Sequence, residues 1–91
     1  MEKKQKTILI IEDEVDIAQL LDFKLKDLGY KTFISFNGEN GLEIARKKIP
    51  DPILLDLMLP GIHGIELTRI LKTEKETKNI FIIMLTALGQ E

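Results

Sequence analysis

PILLDLMLPG, residues 52–61, sets a single carboxylate inside an apolar run. Ile53, Leu54 and Leu55 precede Asp56, and Leu57, Met58 and Leu59 follow it. An ionised side chain is costly to remove from water. Asp56 therefore stands either where the run reaches the surface or where something else holds its charge. Pro52 suits the first position of a strand, where a missing N–H is tolerable, and Pro60-Gly61 is turn chemistry. Between them the residues predict a short strand, Ile53 to Leu57, buried on both faces.

Similar units lie on either side. Thr7 to Ile11 is β-branched, apolar and short, as a doubly buried strand would be. Ile17, Leu20, Leu21, Leu25 and Leu28 then form one helical stripe, with Gly29 placed to end the helix. Tyr30 to Phe36 alternates, and Lys31 suits a strand at a sheet edge. Asn37-Gly38 reads as a turn before a second helix carrying Leu42, Ala45 and Ile49, which Pro50-Asp51-Pro52 stops. Gly64 opens a third helix with Leu67, Ile70 and Leu71, and Ile80 to Leu85 is a fourth apolar strand. The order βαβαβαβ, with apolar strands 1, 3 and 4, predicts an α/β fold with a parallel sheet covered on both faces. With strand 2 at the edge, the strand order is 2-1-3-4.

The totals narrow the function. Ninety-one residues make one small domain, 1–91. Net charge is −2, which gives no electrostatic case for direct nucleic-acid binding by this chain. The chain has no cysteine, so disulfides and thiolate metal sites are excluded. No apolar run approaches the length of a signal-peptide core or a membrane span. A cytoplasmic protein with no membrane partner is the default expectation.

In an open parallel sheet, ligands bind beyond the carboxyl ends of the strands, where strand order reverses. For order 2-1-3-4 that place lies between strands 1 and 3. Glu12 and Asp13 end strand 1 and Asp56 ends strand 3, so three acids are expected to converge there. Each has a plainer reading when taken alone. Glu12-Asp13-Glu14 could serve a helix start, with Asp16 completing a weak capping box, and Asp56 could be a solvated strand end. Together they favour an all-oxygen site for Mg²⁺. Thr86, just after strand 4, could merely begin a turn, but the preferred reading is that it aims a hydroxyl at the same face. His63, Arg46-Lys47-Lys48 and Lys72 to Lys78 read as solvated loop and helix-end residues. Such a site suits phosphoryl transfer, with a carboxylate as nucleophile.

"ILIIEDE" at 8–14, "ILLDLMLPGIHG" at 53–64 and "IIMLTA" at 82–87 closely resemble the receiver (phosphoacceptor) domain of two-component response regulators. The resemblance runs along the whole chain and implies a flavodoxin-like, doubly wound sheet. It implies that Asp56 is the phosphoacceptor and Asp13 a direct Mg²⁺ ligand. Glu12 would be the second acidic position, and the Met58 backbone carbonyl a further ligand. Thr86 would be the switch hydroxyl and Ala87 the small residue beside it. The wording is most like receivers joined to winged-helix DNA-binding domains, which implies a sensor histidine kinase as partner and transcription regulation as output.

Members of that family run on for another helix, strand and helix, so this sequence is expected to lack the final portion. Ile80 to Leu85 would then be an apolar edge, and pairing with a second copy or a swapped assembly is expected there. Two rivals remain. A haloacid dehalogenase-type phosphatase also uses a strand-end Asp, but its second Asp would fall at Met58. A fragment or interaction module that does not switch is the other. The receiver reading makes the chain a phosphoryl acceptor and not an enzyme.

Overall fold

The computed structural model describes residues 5–85. Four strands, β1 (Thr7–Ile11), β2 (Lys31–Ser35), β3 (Pro52–Asp56) and β4 (Phe81–Leu85), alternate with α1 (Val15–Asp27), α2 (Gly38–Lys48) and α3 (Gly64–Thr73). The sheet is parallel with order β2-β1-β3-β4, as expected from the apolar pattern and the lysine of β2. Strand bounds differ from expectation by a residue at most ends. No helix among the described residues is long and apolar enough to cross a membrane.

Alternate strand residues serve two cores, because successive side chains point to opposite faces. Leu9, Ile11, Ile53 and Leu55 pack on one face with Leu42 and Ala45 of α2 and Leu67 and Leu71 of α3. Ile8 and Ile10 pack on the other with Ala18 of α1, flanked by Leu21, Leu25, Ile34 and Leu54. Among the described residues, one helix covers this face of the sheet and two cover the other. A hollow of about 490 Å³ lies beside α1, lined by Leu25, Leu28, Leu54, Phe81 and Ile83 among others.

That asymmetry corrects the expected face of α1. Ala18, with Leu21 and Leu25 partly buried, faces the sheet, while Ile17, Leu20 and Leu28 are exposed. The apolar stripe sits roughly a fifth of a turn round from the buried line. On the flank facing β2, Asp22 accepts a hydrogen bond from the Thr32 hydroxyl. Along β4, whose sequence could be buried on both faces, Phe81, Ile83 and Met84 are exposed, as expected of an apolar edge strand. Periodicity reports what a strand can bury, not what is available to cover it.

The helix ends explain the sharp turns. Gly29 takes φ +98°, and the amides of Gly29 and Tyr30 donate to Lys26 and Leu25, both at 3.0 Å, closing α1 as a Schellman motif. Asn37 is not a turn residue but the N-cap of α2, its side chain accepting from the Asn40 amide at 2.8 Å. Asn37→Ala is expected to cost about 1 kcal/mol, read as a lower denaturant midpoint with unchanged slope. Ile49, expected on the core stripe of α2, instead caps it in the left-handed region and is half exposed.

Candidate functional site

Parallel register builds the site. Ile11 of β1 pairs with Leu55 of β3, so the next residue on each strand, Glu12 and Asp56, falls side by side. Asp13 follows before α1 begins. One carboxylate oxygen from each of Glu12, Asp13 and Asp56 lies within 4.8 Å of the others. The crevice between β1 and β3 is the switch point of the strand order, as the sequence predicted.

Burial decides between the plain and functional readings. Glu12 is 4% exposed and Asp56 8%, while Asp13 is exposed. Asp56 is therefore no solvated strand end. The N-cap of α1 is Glu14 and it makes no side-chain capping bond, so the capping-box reading of Asp13 and Asp16 is not realised. Backbone amides orient both buried acids. Glu14 N–H donates to Glu12 Oε2 at 3.0 Å, and Met58 N–H donates to Asp56 Oδ1 at 3.2 Å. Among the described residues, the ion pairs are Lys26–Asp22, Arg46–Glu74 and Arg69–Glu66, and none reaches these three acids.

Like charges held together out of water disfavour ionisation. Burial pushes Glu12 up to about 7; the Glu14 amide opposes the rise, and Asp56 adds to it by charge and by sharing a hydrogen bond, with a further push from Asp13. A divalent cation would offset both causes by stabilising the ionised carboxylates. The donor set fits a hard ion: all-oxygen, carboxylate-rich and open to solvent through Asp13. Glu12, Asp13 and Asp56 are the residues that could hold it.

The remaining expectations divide. Met58 stands beside the site with its side chain exposed. Thr86 and Ala87 lie outside the described residues, although Leu85, which precedes Thr86, pairs with Asp56. His63 is exposed at the N-cap of α3 and makes no side-chain capping bond. Two basic residues expected in solvent have partners: Arg46 pairs with Glu74, and Lys72 Nζ donates to the Ile80 carbonyl at 2.6 Å. Sequence reasoning missed the orienting amides of Glu14 and Met58, which leave no side-chain signal. It also read Gly64 only as a helix opener.

Fold and site together define a flavodoxin-like α/β domain with an acidic crevice at its switch point. Residues 8–91 match the response regulator receiver domain, and the chain belongs to that family. It is 45% identical over 86 residues to the phosphate regulon transcriptional regulatory protein PhoB of Pseudomonas aeruginosa, covering 94% of this chain and 38% of that protein. It is 38% identical over 90 residues to the probable transcriptional regulator ycf27 of Porphyra purpurea, covering 99% and 36%. The chain thus spans little more than a third of these relatives. Among solved structures, a putative response regulator from Chloroflexus aurantiacus superposes with a TM-score of 0.90 at 36% identity, over 96% of this chain and 71% of that one. The receiver domain of a sensor histidine kinase from Pseudomonas aeruginosa, solved with a magnesium ion coordinated in its active-site cleft, gives 0.89 at 27% identity, over 97% and 72%.

Proposed function

We propose that this domain accepts a phosphoryl group on Asp56 from a phosphohistidine of a sensor histidine kinase, with Mg²⁺ held by Glu12, Asp13, Asp56 and the Met58 backbone carbonyl. The carrying observation is the meeting of three carboxylates, two of them buried, at the switch point. The magnesium ion in the cleft of the Pseudomonas aeruginosa relative supports the choice of cation. When bound, Mg²⁺ supplies positive charge against the phosphoryl oxygens.

The chain's own residues do the rest. An Asp56 oxygen attacks phosphorus, the O–P bond forms as the donor P–N bond breaks, and the imidazole leaves with the bonding pair. The Met58 amide holds Oδ1 and so fixes the carboxylate plane. Thr86 is the proposed switch hydroxyl. Transfer is stoichiometric, not catalytic, and the readout passes to an output domain, which we take to be DNA-binding because the relatives are named as transcriptional regulators. The same reading places the domain in the cytoplasm. Intact-mass analysis after treatment with acetyl phosphate and Mg²⁺ tests it. One added phosphoryl group, mapped to Asp56, is expected; none, or continuous release of phosphate from small phosphoesters, overturns it.

We also propose that β4 pairs with a second copy of the chain. No strand lies beyond β4 among the described residues, and Phe81, Ile83 and Met84 are exposed along it. Sedimentation is expected to show concentration-dependent dimers, and Ile83→Lys to return them to monomer. A well-folded monomer at high concentration counts against this pairing.

A further inference from the structure

Asp56 is the last residue of β3, and α3 begins eight residues later at Gly64. The connecting loop turns back on itself. A Cβ built on Gly64 would lie 2.8 Å from the Asp56 carbonyl oxygen, 2.9 Å from Leu57 Cα and 3.0 Å from the Leu57 carbonyl oxygen. All three atoms are backbone, so no side chain can swing aside to make room. Gly64 N–H also donates to the Leu57 carbonyl at 3.2 Å, which ties the first residue of α3 to the peptide after Asp56. Farther along, the Thr68 hydroxyl donates to the Gly64 carbonyl at 2.8 Å, and Leu67 and Leu71 are fully buried. The start of α3 is thus anchored in the core and presses directly on the segment that carries the nucleophile.

The other side of the loop is held in the same way. A Cβ on Gly38, at the start of α2, would lie 2.8 Å from the Ile62 carbonyl oxygen and 3.1 Å from Ile62 Cβ. The loop is therefore pinched between two backbones. Asp56 receives a backbone hydrogen bond from within the loop, through Met58 N–H. A shift of the loop therefore moves the bond that aims the carboxylate.

From this geometry we infer that Gly64 is a positioning residue for the phosphoacceptor: its missing side chain lets α3 lie against the Asp56–Leu57 peptide and fixes where the Asp56 carboxylate points. The inference rests on the phosphoacceptor reading above. A methyl group at position 64 must push the loop outward, because the helix behind it is locked into the core. Misplacement of a reacting group by 1 Å can cost ~10²-fold in rate. The effect belongs to the site and not to general stability.

The test compares the unaltered chain, Gly64→Ala and Leu71→Ala, each at a temperature where circular dichroism shows it folded. Leu71 is fully buried in α3 two turns beyond Gly64, so its truncation destabilises the fold without placing any new atom against the loop backbone. Mg²⁺ affinity by calorimetry and the rate of phosphoryl uptake from acetyl phosphate are the readouts. Gly64→Ala is expected to lower both by at least about tenfold, while Leu71→Ala lowers the unfolding temperature and leaves both unchanged. Wild-type affinity and rate in folded Gly64→Ala overturn the inference and leave the phosphoacceptor reading intact. If Gly64→Ala does not fold, Gly38→Ala decides, since it pushes the same loop from the other side. A several-fold loss of affinity and rate supports the inference, and no loss overturns it. An unaltered chain that takes no phosphoryl group removes the reading and this inference together.

Discussion

Asp56→Asn is expected to take up no phosphoryl group under conditions where the unaltered chain takes one, and to unfold at a higher temperature when divalent cations are chelated. The first effect follows from chemistry, since an amide oxygen is too weak a nucleophile to replace the carboxylate. The second follows from geometry. Without a cation, Asp56 repels Glu12 and Asp13 across less than 4.8 Å, and no basic side chain among the described residues pairs with them. The asparagine keeps Oδ1 as acceptor for Met58 N–H and removes the charge. At an effective dielectric near 20, a pair of unit charges about 4 Å apart interacts by ~4 kcal/mol. The raised pKa of Glu12, about 7, already relieves much of this. The expected net gain is about 1 kcal/mol, which raises the unfolding midpoint of a domain this size by about 4–8 °C. Adding Mg²⁺ should shrink or reverse the difference, because the unaltered chain gains more from binding. A lower midpoint for Asp56→Asn in chelator would show that the cluster is not repulsive. Phosphoryl uptake that persists in the variant would place the acceptor elsewhere.

The site was legible in sequence because register is cheap to read. Glu12 and Asp13 follow an apolar strand and Asp56 ends another, and parallel pairing of those strands leaves them little choice but to meet. The strand order was legible for a similar reason, since Lys31 cannot sit in a central strand without a partner. What periodicity could not supply was the neighbour. Ile17, Leu20 and Leu28 mark an apolar face of α1 truthfully, yet the sheet takes Ala18, Leu21 and Leu25, and the rest of the stripe is exposed, with Leu28 on the hollow over β3 and β4. The close approaches at Gly38 and Gly64 were hidden in the same sense. A glycine shows only that a side chain is missing, and the atoms it makes room for arrive from elsewhere in the chain.

The acidic cluster should also make stability and cation binding depend on pH in opposite directions. Glu12 has its pKa raised in the folded state, from 4.5 to about 7, chiefly by burial and then by Asp56 and Asp13. A folded-state pKa above the unfolded value means that the folded chain binds the extra proton. The resulting stability is fully present below about pH 4.5 and is lost as pH rises through about 7. In chelator the unfolding midpoint is therefore expected to fall between pH 5 and 8. At 1.36 kcal/mol per pKa unit the whole effect is up to about 3 kcal/mol, and lower if water enters the crevice. Mg²⁺ competes for the same oxygens, so its affinity should rise with pH by up to about tenfold per unit below 7 and level off above it. Phosphoryl uptake at subsaturating Mg²⁺ should follow that curve, because transfer needs the bound cation to offset charge on the phosphoryl oxygens. Calorimetry in buffers of different ionisation enthalpy measures the proton released on binding, which should be largest below pH 7 and absent in Glu12→Gln. Mg²⁺ affinity that stays flat from pH 6 to 8 would mean that Glu12 is already ionised in the folded chain, and that the three carboxylates are solvated well enough to tolerate one another.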